Sequence, residues 1–197
     1  GAPLSTTTVG SRAADETHSV ALNGHAGVWV GGVTAGDLGG PSQGFYDFYL
    51  GRFDFEVGAE YCAPAVPNST GLPARITAAG NELPGENALT LLASDLPPNQ
   101  FGYFLNSRTT AAVPNAGGGQ GTLCLGGSVG RYNRTTQVGA TGAAGRFQLT
   151  LDLGAMPTPT GLVPAMSGET WHFQAWYRDG NPGATTNLTS AVSVTLQ

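Results

Sequence analysis

The sequence predicts an all-β protein: a β-sandwich of about seven or more antiparallel strands, preceded by a small blade-like antiparallel sheet. Three observations carry this. Glycine fills 31 of 197 positions, and Thr, Val, Leu and Ala make up much of the rest, a composition suited to short strands joined by tight turns. Several segments alternate apolar and polar residues with a period of two, as a strand with one buried face does. Pro97-Pro98 and the Pro-rich stretch 156–164 interrupt longer periodic runs, so no helix of ordinary length is expected.

The elements follow in order. The uncharged leader Leu4-Ser5-Thr6-Thr7-Thr8-Val9 is β-prone with nothing nearby in sequence to pair with; Leu4, Thr6 and Thr8 would mark a strand donated to a neighbouring subunit, the alternative being a disordered terminus. Ser19-Val20-Ala21-Leu22, a loop through Asn23-Gly24-His25-Ala26-Gly27, and Val28-Trp29-Val30-Gly31-Gly32 read as a hairpin. A Gly/Pro/Ser loop over 34–44 leads into an aromatic strand over 45–53. Further strands are expected near 75–79, 89–93, 101–105, 122–125 and 191–196. Phe147, Leu149, Leu151 and Leu153 alternate with polar residues, and Trp171, Phe173, Ala175 and Tyr177 alternate with His172, Gln174, Trp176 and Arg178.

Two regions carry a resemblance. Ala14-Asp15-Glu16-Thr17-His18-Ser19-Val20-Ala21-Leu22, Gly27-Val28-Trp29-Val30-Gly31-Gly32-Val33-Thr34, Asp37-Leu38-Gly39-Gly40-Pro41 and Tyr46-Asp47-Phe48-Tyr49-Leu50-Gly51-Arg52-Phe53-Asp54 together resemble one SBBP-type β-propeller repeat, within about residues 10–55. The resemblance implies a propeller blade, a unit that is tandem in secreted or surface proteins of bacteria; one copy is found here. From about residue 61 to Gln197, the segments Pro67-Asn68-Ser69-Thr70-Gly71, Leu96-Pro97-Pro98-Asn99-Gln100-Phe101-Gly102, Leu123-Cys124-Leu125-Gly126-Gly127 and Thr170-Trp171-His172-Phe173-Gln174-Ala175-Trp176-Tyr177-Arg178-Asp179 resemble a C-terminal β-domain of large secreted bacterial proteins. That resemblance implies no activity. The expected division is a leader and blade over 1–58 and a sandwich over 59–197. A lone blade leaves sheet edges and an apolar face uncovered, so a longer parent chain, another subunit or the second domain is expected to supply the partner.

Composition limits the function classes. A net charge of −5, with 8 basic residues that are all arginine, lacks the basic stripe that nucleic acid requires. No run approaches the roughly 20 apolar residues of a membrane span. Cys62 and Cys124 are too few for a metal cage and read as one disulfide in an oxidising compartment, with two separate buried thiols as the alternative. Together with the secreted families resembled, this places the protein at the cell surface or outside the cell. Gly1-Ala2-Pro3-Leu4 shows no signal peptide, as a processed chain would not.

The motifs that can carry chemistry are few. Asn68, Asn133 and Asn187 begin N-x-[ST] triplets, the pattern of glycosylation sites, which also arises by chance in Thr-rich sequence. Ser42 and Ser128 sit in G-x-S-x-G matches, but neither has the following helix that a hydrolase elbow needs. His18, His25 and His172 are not at metal-ligand spacing, and Asp37, Asp47 and Asp54 match no calcium loop. No enzyme activity and no cofactor are therefore expected. If Trp171, Phe173 and Tyr177 face the core, Trp176 faces outward beside Gln174 and Arg178, an aromatic with hydrogen-bonding neighbours on which a sugar can stack or a subunit can pack. The expected role is an extracellular structural or assembly protein, a self-associating fibre or surface-layer subunit; a carbohydrate-binding or adhesion module is the alternative.

Overall fold

The computed structural model describes residues 10–22, 27–38, 41–42, 44–54, 56–180 and 183–197. The fold is all-β, in two compact units, residues 1–55 and 56–197. The leader residues Leu4, Thr6 and Thr8 and the loop residue His25 lie outside the described residues.

Unit 1 is a three-stranded antiparallel sheet: β1 (Asp15–Leu22), β2 (Gly27–Thr34) and β3 (Asp47–Asp54), with β2 central. Its register, Val33 opposite Phe48 and Gly31 opposite Leu50, puts Trp29, Val33, Phe48 and Leu50 on one face. Val20 and Val30, paired across β1 and β2, lie on the other with Thr17 and Tyr49. Gly32 makes this possible. A Cβ there would meet the Tyr49 hydroxyl at 2.8 Å and the Glu16 carbonyl oxygen; its absence lets Tyr49 cross the strand and hydrogen-bond Thr17 at 2.8 Å. A polar knot secures one end: Thr34 Oγ1 donates to Asp15 Oδ1, and the Ser11 N–H donates to Asp15 Oδ2 at 2.6 Å.

Unit 2 begins with β4 (Glu56–Val57), which pairs with a later strand of the sandwich, so the division falls at residue 55. Next come β5 (Ala59–Tyr61), β6 (Arg75–Gly80), β7 (Leu89–Ser94), β8 (Phe101–Ser107) and β9 (Thr109–Pro114). They are followed by β10 (Thr122–Gly126), β11 (Gly130–Arg131), β12 (Gly139–Ala140) and β13 (Phe147–Thr150). β14 (Met156–Thr158), β15 (Gly161–Val163), β16 (Thr170–Asp179) and β17 (Thr185–Thr195) complete the unit.

One sheet runs β11-β8-β16-β17-β5, with β12 also on β8; a second runs β13-β7-β6-β4. Their facing sides bury one core: Ile76, Leu89 and Leu91 from the second sheet meet Phe104, Trp171, Phe173 and Val192 from the first. The period-two reading of β16 holds, since Trp171, Phe173, Ala175 and Tyr177 all enter this core. Inward and outward residues then alternate as the pleat requires.

A further layer lies on the opposite side of the first sheet. The β9–β10 hairpin places Leu125 against Leu105 and Leu188, with Tyr103, Leu123 and Trp176 packed at the margin of that small apolar cluster. The disulfide Cys62–Cys124 ties β10 to the segment leaving β5. The stretch 156–164, read from its prolines as a turn, holds the β14–β15 hairpin, closed by Pro159 and Thr160. No helix long and apolar enough to cross a membrane occurs among the described residues.

Candidate functional site

The sequence places Trp176, Gln174 and Arg178 together on the outward side of β16. The structure keeps that side and separates the three residues. Gln174 is 0% exposed, so it is no ligand or subunit contact. Its Oε1 accepts the Cys124 N–H at 2.9 Å, and its Nε2 donates to the Thr122 and Thr189 carbonyls at 2.9 and 2.7 Å. Alternation correctly assigns the residue to the outer face, but the β9–β10 layer covers that face at this point. Gln174 is a clamp: two of these three bonds hold β10 down, and the third ties the clamp to β17.

Trp176 is half-buried and stacks on Tyr103, its cross-strand partner, with ring centroids 4.9 Å apart and planes 29° apart. Phe101 follows at 6.1 Å from Trp176, and the Arg178 guanidinium carbon lies 5.7 Å from the Phe101 ring centroid. Because β8 and β16 are neighbours, alternate positions on both strands bring these rings into one shelf. Phe101 and Arg178 are exposed at its outer end, while Trp176 meets the Leu105–Leu188 cluster at its inner end. Such a shelf offers stacking surface and a cation over an aromatic face, the chemistry that takes sugar rings or an apolar partner side chain. Phe101 and Tyr103 are absent from the site expected from sequence; the alternation within 101–105 was the available signal.

The three triplets separate as well. Asn68 and Asn187 are each 1% exposed. Asn68 Nδ2 donates to the Asp95 carbonyl at 2.6 Å, and its Oδ1 accepts the Thr70 N–H and hydroxyl at 2.8 and 2.7 Å. Asn187 Nδ2 donates to the Val66 carbonyl at 3.2 Å. At 1% exposure neither nitrogen has room for an oligosaccharide in this fold, so the glycosylation expected at both positions is corrected. The Asn-x-Thr pattern at Asn68 closes an Asx turn, a local use of the same residues. Asn133 is exposed.

Ser128 lies in the turn between β10 and β11. Ser42 takes part in a loop, its N–H donating to Asp37 Oδ1 at 2.8 Å. His18 lies 3.7 Å from a Glu16 carboxylate oxygen on β1. His172 meets the Tyr61 ring edge-on at 5.5 Å, and burial holds its imidazole below the ordinary pKa. Burial also pushes the Tyr61 phenol up to about 12; its hydroxyl donates to the Cys124 carbonyl at 3.2 Å. Among the described residues, no three His, Cys, Asp or Glu side chains are grouped to hold a metal ion.

The most exposed large apolar side chains are in unit 1. Phe48 and Leu50 are 92% and 70% exposed on one face of its sheet, and Val20 is 65% exposed on the other. Compared with family models, curated proteins and solved structures, the chain has no match.

Proposed function

We propose that this chain is a non-catalytic, secreted assembly module whose unit 1 sheet stacks on a second copy of itself at the cell surface or outside the cell. The observation that carries the reading is a thin sheet with exposed apolar side chains on both sides: Phe48 and Leu50 on one, Val20 on the other. A half-buried antiparallel sheet is expected to have a polar outer face; one that is apolar on both faces is an inner layer. A three-stranded sheet is also near the lower limit of independent stability in water.

The composition of the faces favours a second copy as the partner. They differ, with Trp29, Phe48 and Leu50 on one and Val20 and Val30 on the other, so stacking face to back repeats the same contact. Such a heterologous contact extends into a fibre or layer unless its rotation closes a ring. The resemblance of this segment to a tandem blade supports the same reading, since a blade is flanked on both faces by others. The Cys62–Cys124 disulfide supports an oxidising compartment.

Hydrogen exchange tests this directly. Amides of β2 and β3 are expected to gain protection as protein concentration rises while those of β16 stay constant; protection of β2 and β3 independent of concentration would contradict the reading.

A second reading, a carbohydrate-binding or adhesion module, is favoured by the Trp176–Tyr103 stack with Phe101 and Arg178 at its end. Trp176→Ala is expected to abolish binding to a glycan panel. Undiminished binding in that variant, or no binding by the wild type, counts against it.

A further inference from the structure

Arg131, at the end of β11, and Arg134, three residues on, line one cleft of about 260 Å³. Asp152 lies in the same wall, and the β14–β15 hairpin contributes Pro157, Thr158 and Leu162. The contrast with two other arginines of unit 2 is informative. Arg75 is paired with Glu60 at 2.9 Å and Arg108 with Glu169 at 2.8 Å. Among the described residues, neither Arg131 nor Arg134 makes an ion pair. In a chain of net charge −5, two guanidiniums outside any ion pair, with the single carboxylate of Asp152 in the same concavity, are a local reversal of sign.

The other lining groups narrow the ligand. Pro157 and Leu162 are cross-strand partners, giving the cleft an apolar wall that suits the face of a sugar ring. One Asp152 oxygen accepts the Gly154 N–H at 3.0 Å, and its other oxygen makes no hydrogen bond to a described residue. That oxygen can accept a hydroxyl but repels a second anionic group. Two guanidiniums and one carboxylate leave a formal excess of a single positive charge. The guanidinium fork matches a carboxylate in a planar, two-bond contact.

We infer that this cleft binds one acidic monosaccharide unit of the uronic acid type, its carboxylate on Arg131 and Arg134, its ring against Pro157 and Leu162, and a hydroxyl on Asp152. The inference does not depend on self-association through unit 1, and the cleft shares no lining residue with the Trp176 shelf, so the variants that test each leave the others intact.

The test is a titration of the full chain, produced without N-glycans, with trigalacturonate, followed by two-dimensional amide NMR. Neutral galactotriose and inorganic sulfate serve as comparison probes. The expected result is saturable binding with Kd at or below roughly 1 mM, shifts confined to the lining residues, and at least tenfold weaker binding in R131Q/R134Q. No saturable shifts in the wild type, or shifts mapping elsewhere, would overturn the proposal whatever the variant does. Equal binding of galactotriose would also overturn it, as would sulfate binding as tightly as trigalacturonate, the mark of a general anion site.

Discussion

The two units are built from the same kind of strand and solve the problem of burial in opposite ways. In unit 2 the aromatic and aliphatic side chains of two sheets share one core, a hairpin covers the outer side of the first sheet, and a disulfide ties that hairpin down. In unit 1, Thr34 is the one buried residue among those described, and its hydroxyl is spent on the polar knot with Asp15. Apolar side chains stabilise a fold only when removed from water, at about 25 cal/mol per Å². The apolar side chains of unit 1 are little buried within its own sheet, whereas those of unit 2 share a core. The exposed aromatics of that thin sheet are the ground for proposing that a second copy completes it.

Predictions that break or sharpen this contrast run from the largest effect downward. Replacing Cys62 and Cys124 by serine opens a loop with a sequence separation of 62 residues and is expected to destabilise unit 2 by about 3–5 kcal/mol. Urea unfolding with and without reductant measures it, and unit 1 amides should show no change in exchange. Gln174→Ala strands the Cys124 N–H and two carbonyls beneath β10, with an expected loss on the order of 3 kcal/mol. Exchange protection should fall most over 122–126. If Gln174→Ala were neutral, the hairpin layer would be held by its leucines, the disulfide and its remaining hydrogen bonds, that from Tyr61 among them.

The smallest effect concerns acid. The Arg75 hydrogen bond holds the Glu60 carboxyl below its ordinary pKa of 4.5, aided by the Ser190 hydroxyl. Folding depresses this pKa, so the contribution is fully present above pH 4.5 and is lost as pH falls through the folded value. Arg75 is half-exposed and solvent screens the pair, so the effect is at most about 1 kcal/mol. Melting curves of the wild type and Glu60→Gln are expected to differ at neutral pH and to converge in acid; a constant difference would show that the pair is not the cause.

Strand positions were legible where pattern and burial agree. β7, β13 and β16 carry apolar residues at alternate positions because one face meets the core, and β16 reads correctly in and out along the Trp171–Tyr177 segment; the alternation of Phe101, Tyr103 and Leu105 in β8 marks its other face. β9 was not legible: Thr109-Thr110-Ala111-Ala112-Val113-Pro114 has no apolar stripe, since it is an outer strand paired only with β10. Periodicity assigns a residue to a face without saying what lies over that face, which is why Gln174 looks like a contact and is a buried clamp. The arginine cleft was illegible for a related reason. It joins β11 to a hairpin whose strand contains Pro157, a residue tolerated there because the two-stranded ribbon has free edges.

The central claim, that unit 1 is completed by a second copy, is tested most directly by sedimentation equilibrium from dilute to concentrated protein. The wild type is compared with the double variant Phe48→Ser and Leu50→Ser. The account predicts a wild-type mass that rises with concentration above that of one chain, and a variant that stays a single chain. Because both side chains are exposed in the monomer, the variant's unfolding free energy is expected to stay within about 0.5 kcal/mol of the wild type. A wild type that remains a single chain throughout, or a variant that associates as strongly, would contradict the account.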